Sequence, residues 1–139
     1  METEYQKKSY KLFLVWVAAL FVVLFWGAVK EINIGGIGVT KTNSLLACVM
    51  IDVLFLLIYL TQSIYWINGV TYEEAAQADA AARKRYAWRH LITFLVATAV
   101  YLIYCIAIAD IVKLGSIGDS LVAGGMLCVA AITTIRIHL

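Results

Sequence analysis

Proline is absent from all 139 residues, and charged residues make up only 14% of them. Transporters that break their helices at a binding site do so with paired Pro or Gly interruptions. Inside the long apolar stretches the only glycines are Gly27 and the pair Gly124-Gly125. Straight helices are therefore expected, and alternating access built from broken helices is disfavoured. Soluble domains carry about 25% charged residues, so the scarcity of charge argues against a water-exposed fold. No Cys-x-x-Cys occurs, and the two histidines, His90 and His138, lie far apart in the chain. A zinc site needs its Cys and His ligands around one point, and a Cys–His nucleophile needs hydrogen-bond reach. No metal, cofactor or catalytic residue is expected, and the chain reads as a non-enzyme.

What is present is apolar. Hydrophobic residues make up 63% of the chain, concentrated at about 12–29, 44–67, 91–111 and 121–135. A hydrocarbon core of about 30 Å needs about 20 residues of helix. The first three stretches have that length, and the fourth does once its flanks join it. The expectation is an all-α integral membrane protein, one domain over 1–139, forming an antiparallel four-transmembrane-helix bundle. The apolar run of the first stretch exceeds the usual signal-peptide length and meets no small-x-small site before Lys30, so it reads as a retained signal anchor.

Orientation follows from Lys and Arg, which are retained on the cytoplasmic side of a span. Lys7, Lys8, Lys11, Arg83, Lys84, Arg85, Arg89 and Arg136 fall at the N-terminus, the middle loop and the C-terminus. Only Lys30, Lys41 and Lys113 fall in the other two gaps. Both termini are therefore expected in the cytoplasm, with a bacterial inner or plasma membrane as the setting. A net charge of +2 is too small to imply nucleic acid. Arg83, Lys84, Arg85 and Arg89 read as lipid-headgroup contacts, each worth about 1 kcal/mol near an anionic surface.

The loops carry local signals. Asn68-Gly69 offers a left-handed stop for the second span. Thr71-x-x-Glu74 has capping-box spacing, and Asp79 and Arg83 are placed as an i,i+4 pair. With no Gly or Pro from Val70 to Leu114, an amphipathic segment 72–90 is expected to continue the third helix into the cytoplasm. A helix from Tyr72 to Val112 would measure about 60 Å. In the outer loop 31–43, Gly35-Gly36 between β-branched residues matches a two-residue hairpin turn, and a Gly-rich loop is the alternative. Basic residues, a span and glycines recur in the same order in both halves, at unequal spacing.

Asp52 is the one charged side chain deep within a span. A carboxylate there costs about 2.5–3.5 kcal/mol on insertion scales, so it must be neutral, paired or facing water. It belongs to a stripe, Cys48, Asp52, Phe55, Tyr59, Gln62 and Trp66, whose intervals of three and four line one helix face. Thr98, Tyr101 and Cys105 on the third span are the expected hydrogen-bond partners. Asp52, Tyr59, Gln62, Cys48, Thr98 and Tyr101 thus form a candidate proton- or cation-binding set. Asp110 and Asp119 read as solvated caps at the outer interface, and His90 as an interfacial residue. Gly124, Gly125 and Cys128 on the fourth span present a small-residue face for helix packing or oligomer contact.

The reading favoured on these grounds is a small non-catalytic membrane component. Its partners would be the lipid bilayer and either copies of itself or another membrane protein. The alternative is an ion or small-solute channel or transporter, formed by a homo-oligomer around Asp52.

Overall fold

The computed structural model describes residues 5–67 and 69–139. Among these residues the chain is helical, with no strand. Four helices are long and apolar enough to cross a membrane: α1 (Lys11–Val29), α2 (Val39–Thr61), the continuous run Ala80–Val112, and α6 (Gly115–Thr134). The run Ala80–Val112 comprises α4 (Ala80–Ile103), a π-helical turn (Tyr104–Ile108) and α5 (Ala109–Val112). A short helix α3 (Tyr72–Gln77) precedes it. The fourth span does draw in its flank, starting at Gly115 and reaching 20 residues.

Helices α2, α4 and α6 pack against one another, while α1 packs chiefly against α2. Helix α1 has a single buried residue, Gly27. A Cβ at Gly27 would meet Asn43 Oδ1 at 2.5 Å, so the missing side chain is what lets α1 close on α2. One turn into α1, the Trp16 indole N–H donates to the Met50 carbonyl oxygen at 2.8 Å. The other faces of α1, with Phe21 and Phe25, are exposed, as suits a helix bordered by lipid.

Three boundaries differ from those expected. Helix α2 starts near residue 39 rather than 44, because the outer loop forms a 3₁₀ turn at Ile34–Gly36 and no hairpin. There Thr42 Oγ1 accepts from Ile34 N at 3.0 Å and Asn33 Oδ1 accepts from Gly38 N at 2.8 Å. Side-chain acceptors thus satisfy amides that a hairpin ladder would otherwise have used. At its other end α2 stops at Thr61, with Gln62 left-handed at φ 57°, six residues short of the expected end. Of the expected stop Asn68-Gly69, Asn68 lies outside the described residues.

The helix expected from Tyr72 to Val112 is interrupted at Ala78 and Asp79, both extended. Each piece has its own N-cap. Thr71 and Glu74 form the complete capping box, and Asp79 Oδ1 accepts from Ala82 N at 2.5 Å. Asp79 serves as a cap instead of pairing with Arg83, so α4 begins a fresh helix. The run Ala80–Val112 still spans 33 residues, about 50 Å at 1.5 Å per residue.

The end of the bundle that holds Arg83, hereafter the basic end, is closed by an aromatic cluster. Ile58, Ile64, Tyr65, Ala75, Tyr86 and Ala87 are buried together there, with Tyr5 and Tyr72 against them. Tyr65 and Tyr86 are core residues, whereas Trp88 is exposed. The segment before α1 is tied into this cluster. Tyr65 OH accepts from Lys8 N at 2.8 Å and donates to Lys8 O at 2.9 Å. Tyr5 OH donates to Gln62 O at 2.6 Å, and Tyr72 OH donates to Tyr5 O at 2.9 Å.

Candidate functional site

The polar residues of the apolar core gather where α2, α4 and α6 meet. Cys48, Tyr101, Tyr104, Cys105, Ala109 and Ala123 form one buried cluster, and Asp52 and Asp119 are buried beside the same helices. Tyr101, Tyr104, Cys105 and Ala109 stand at i, i+3, i+4 and i+8, so they share the inward face of this run and all are buried. The run passes through the π turn at Tyr104–Ile108. Such turns interrupt the regular amide ladder and recur at functional sites.

Asp52 is 7% exposed. Thr98 on α4 lies beside its carboxyl group, yet neither Asp52 Oδ1 nor Thr98 Oγ1 completes a hydrogen bond. A buried polar atom without a partner costs about 1–3 kcal/mol, a cost that Asn43 Oδ1, Ser63 Oγ and Trp66 Nε1 also carry. No basic side chain pairs with it, since the single ion pair among the described residues is Lys41–Asp110 at 3.5 Å.

Toward the start of α6 the seam stays polar. Tyr104 OH donates to Asp119 Oδ1 at 2.6 Å, and Tyr101 OH donates to Asp119 O at 3.3 Å. The two tyrosine rings stack at 5.9 Å, and Ser44 lies beside the Tyr101 hydroxyl. Toward the basic end the seam turns apolar. Phe55 and Phe94 stack at 4.4 Å below Asp52, and the His90 ring stacks on Phe55 at 5.9 Å. His90 is 2% exposed, with Nδ1 at 3.0 Å from Tyr86 O. A carbonyl only accepts, so the proton sits on Nδ1. Asp119, Asp52 and His90 therefore mark three levels of one interhelical seam, with an aromatic pair between the last two.

Of the residues singled out in the sequence, Cys48, Asp52, Thr98 and Tyr101 come together here. Tyr59 and Gln62 do not. The early end of α2 takes Gln62 off the helix, where its Oε1 accepts from Arg83 Nε at 3.1 Å, and Tyr59 packs on Trp88 at 5.6 Å. Gly124, Gly125 and Cys128 are exposed, and a Cβ on either glycine would meet nothing within 4 Å. They take no part in packing within one chain; Gly27 has that role. Arg83 is buried and bound inside the protein, whereas Lys84, Arg85 and Arg89 are exposed.

Asp119 and His90 are not among the residues expected at the site. Asp119 reads as solvated when the fourth span is taken to begin at Leu121. A start at Gly115 puts Asp119 inside the helix, one turn in, level with the tyrosines of α4. Tyr101 and Tyr104, three apart on α4, were the available signal that a partner for two hydroxyls stands opposite. His90 is buried with the rings of Phe55 and Tyr86 packed against its own. No protein-family model, curated protein or solved structure matches the chain.

Proposed function

We propose that this chain is a non-catalytic integral membrane component that assembles with copies of itself through α6. Its four spans alternate in direction, with the basic end and both termini in the cytoplasm. The carrying observation is a run of small residues at four-residue intervals, Ser116, Ser120, Gly124 and Cys128, all exposed on α6. Within a bilayer, helices associate by close backbone approach over small residues, since lipid removes the hydrophobic drive between them. The open space at Gly124 and Gly125 leaves room for a second backbone.

Cys128 supplies the test, because Cys48 and Cys105 are buried and Cys128 is the exposed thiol of the three. Mild oxidation of the protein in its membrane is expected to give a Cys128-linked dimer. Gly124→Leu with Gly125→Leu is expected to abolish that dimer and disperse the oligomer seen by native mass spectrometry. A chain that stays monomeric by both measurements ends this reading.

A second reading, a permeation unit that binds a proton or small cation at Asp52, is favoured by the unpartnered Asp52 Oδ1 and Thr98 Oγ1. Here Asp52→Asn is expected to fold normally and to abolish flux in proteoliposomes. Undiminished flux in that variant removes it.

A further inference from the structure

Arg83 is 8% exposed and has five N–H donors to satisfy. Nε donates to Gln62 Oε1 at 3.1 Å, and Nη1 donates to Ala75 O at 3.1 Å and to Ala78 O. The Tyr5 ring lies 4.1 Å from the guanidinium carbon. Nη2 makes no hydrogen bond among the described residues, and no described carboxylate lies within 4 Å of the group. Carbonyls at the end of α3 and an aromatic face offset part of the charge. Buried cations are ordinarily paired with an anion.

Beside Arg83 lies a hollow of about 900 Å³, lined among others by Arg83, Lys8, Gln62, Tyr5, Asp79 and Ala80. Small-ligand sites occupy about 300–1,000 Å³. The N-terminus of the 24-residue α4 opens onto it at Ala80, and free amides with the helix dipole favour an anion there. Asp79 opposes this, although one of its oxygens is held by Ala82 N. Two cations and a helix N-terminus face one carboxylate.

We propose that this hollow binds the phosphate group of an anionic ligand, with Arg83 and Lys8 as its charged donors. The planar guanidinium presents paired N–H groups that match phosphate oxygens, and the lysine adds a mobile point charge. The same chemistry is offered by the headgroup of a phospholipid and by free phosphate, and the position at the end of the bundle admits both.

The test uses the full chain in nanodiscs. Native mass spectrometry of protein in mixed phosphatidylcholine and phosphatidylglycerol is expected to retain phosphatidylglycerol if the phosphate is lipid-borne. A rise in melting temperature with inorganic phosphate in phosphatidylcholine nanodiscs is expected if it is free. Lys8→Gln is chosen because Tyr65 holds the Lys8 backbone and leaves its side chain uninvolved. It is expected to weaken whichever binding is seen by about tenfold, the effect of one charged hydrogen bond. Asp79→Asn keeps a capping side chain and is expected to strengthen binding, while Lys84→Gln, exposed on the same helix, is expected to leave it unchanged. Binding in neither arm overturns the proposal. So does a response to Lys8→Gln no larger than that to Lys84→Gln, which would reduce the attraction to general surface charge.

Discussion

The two ends of the packed helices tie their buried polar groups together to different degrees. At the basic end, Tyr5, Tyr65 and Tyr72 reach backbone groups 57 to 67 residues away, and Arg83 bridges α4, α3 and the end of α2. In the seam between α2 and α4, Asp52 and Thr98 sit close together with a buried oxygen each and no partner. Each lost partner costs about 1–3 kcal/mol, and both regions carry some of that cost, Ser63 Oγ and Trp66 Nε1 at the basic end and Asp52 Oδ1 and Thr98 Oγ1 in the seam. The difference lies in cross-linking: hydrogen bonds between distant segments hold the basic end, while stacked aromatic rings fill the level next to Asp52.

Five experiments break or sharpen that contrast. The largest effect is expected from Ile58→Ala, which empties a fully buried position in the basic-end cluster. It should lower stability by about 2–5 kcal/mol in thermal unfolding in detergent, while Ile132→Ala on the exposed face of α6 changes little. Asp52→Leu is expected to act in the opposite sense, raising stability by up to about 2.5–3.5 kcal/mol, the insertion cost of the carboxylate. A loss of stability there would make Asp52 a structural residue and erase the contrast. Tyr65→Phe removes both bonds to Lys8 and should cost about 1–3 kcal/mol, and it should also expose the segment before α1 to proteolysis.

The smallest effects concern pH. Burial, helped by neighbouring Tyr65 and opposed by Arg83, pushes the Tyr5 phenol from 10.0 up to about 12. A raised value means that the folded protein holds the proton more tightly than the unfolded chain does. The stabilisation is thus complete below pH 10 and disappears as pH climbs through about 12. Tyr5→Phe should flatten the melting temperature over that window. Hydrogen bonds from Thr71 hold the Glu74 carboxyl below its ordinary 4.5. The sign reverses here, with stability present above that value and lost as pH falls below it. Glu74→Gln, which keeps the capping-box geometry, should remove the acid-side dependence.

The four spans, the capping box at Thr71 and Glu74, and the burial of Cys48, Asp52 and Tyr101 were all legible beforehand. Each follows from hydropathy or from spacing within about one helical turn. The stripe on α2 could be followed from Cys48 to Phe55 and was lost beyond Tyr59, where the helix ends sooner than its apolar run. Gln62 takes a left-handed conformation there while its carbonyl and side chain bind Tyr5 and Arg83, partners that no local pattern indicates. Asp79 was misassigned for a different reason. A carboxylate at that place suits both an i,i+4 pair and an N-cap, and the choice rests on whether the chain turns before it.

By itself the sequence determined that four segments are helical and apolar enough for a bilayer, and that one carboxylate lies deep in the second. It also determined that basic residues crowd into every second gap between those segments. Those properties reside in side-chain hydropathy and in hydrogen bonds a few residues apart, so they hold wherever the helices lie. The tertiary structure alone decided that Arg83 turns inward, that Asp119 is buried under Tyr104, and that Gly27 rather than Gly124 brings two helices together. Each of these depends on which surfaces meet across distant parts of the chain, where a buried polar group takes whatever partner the packing presents.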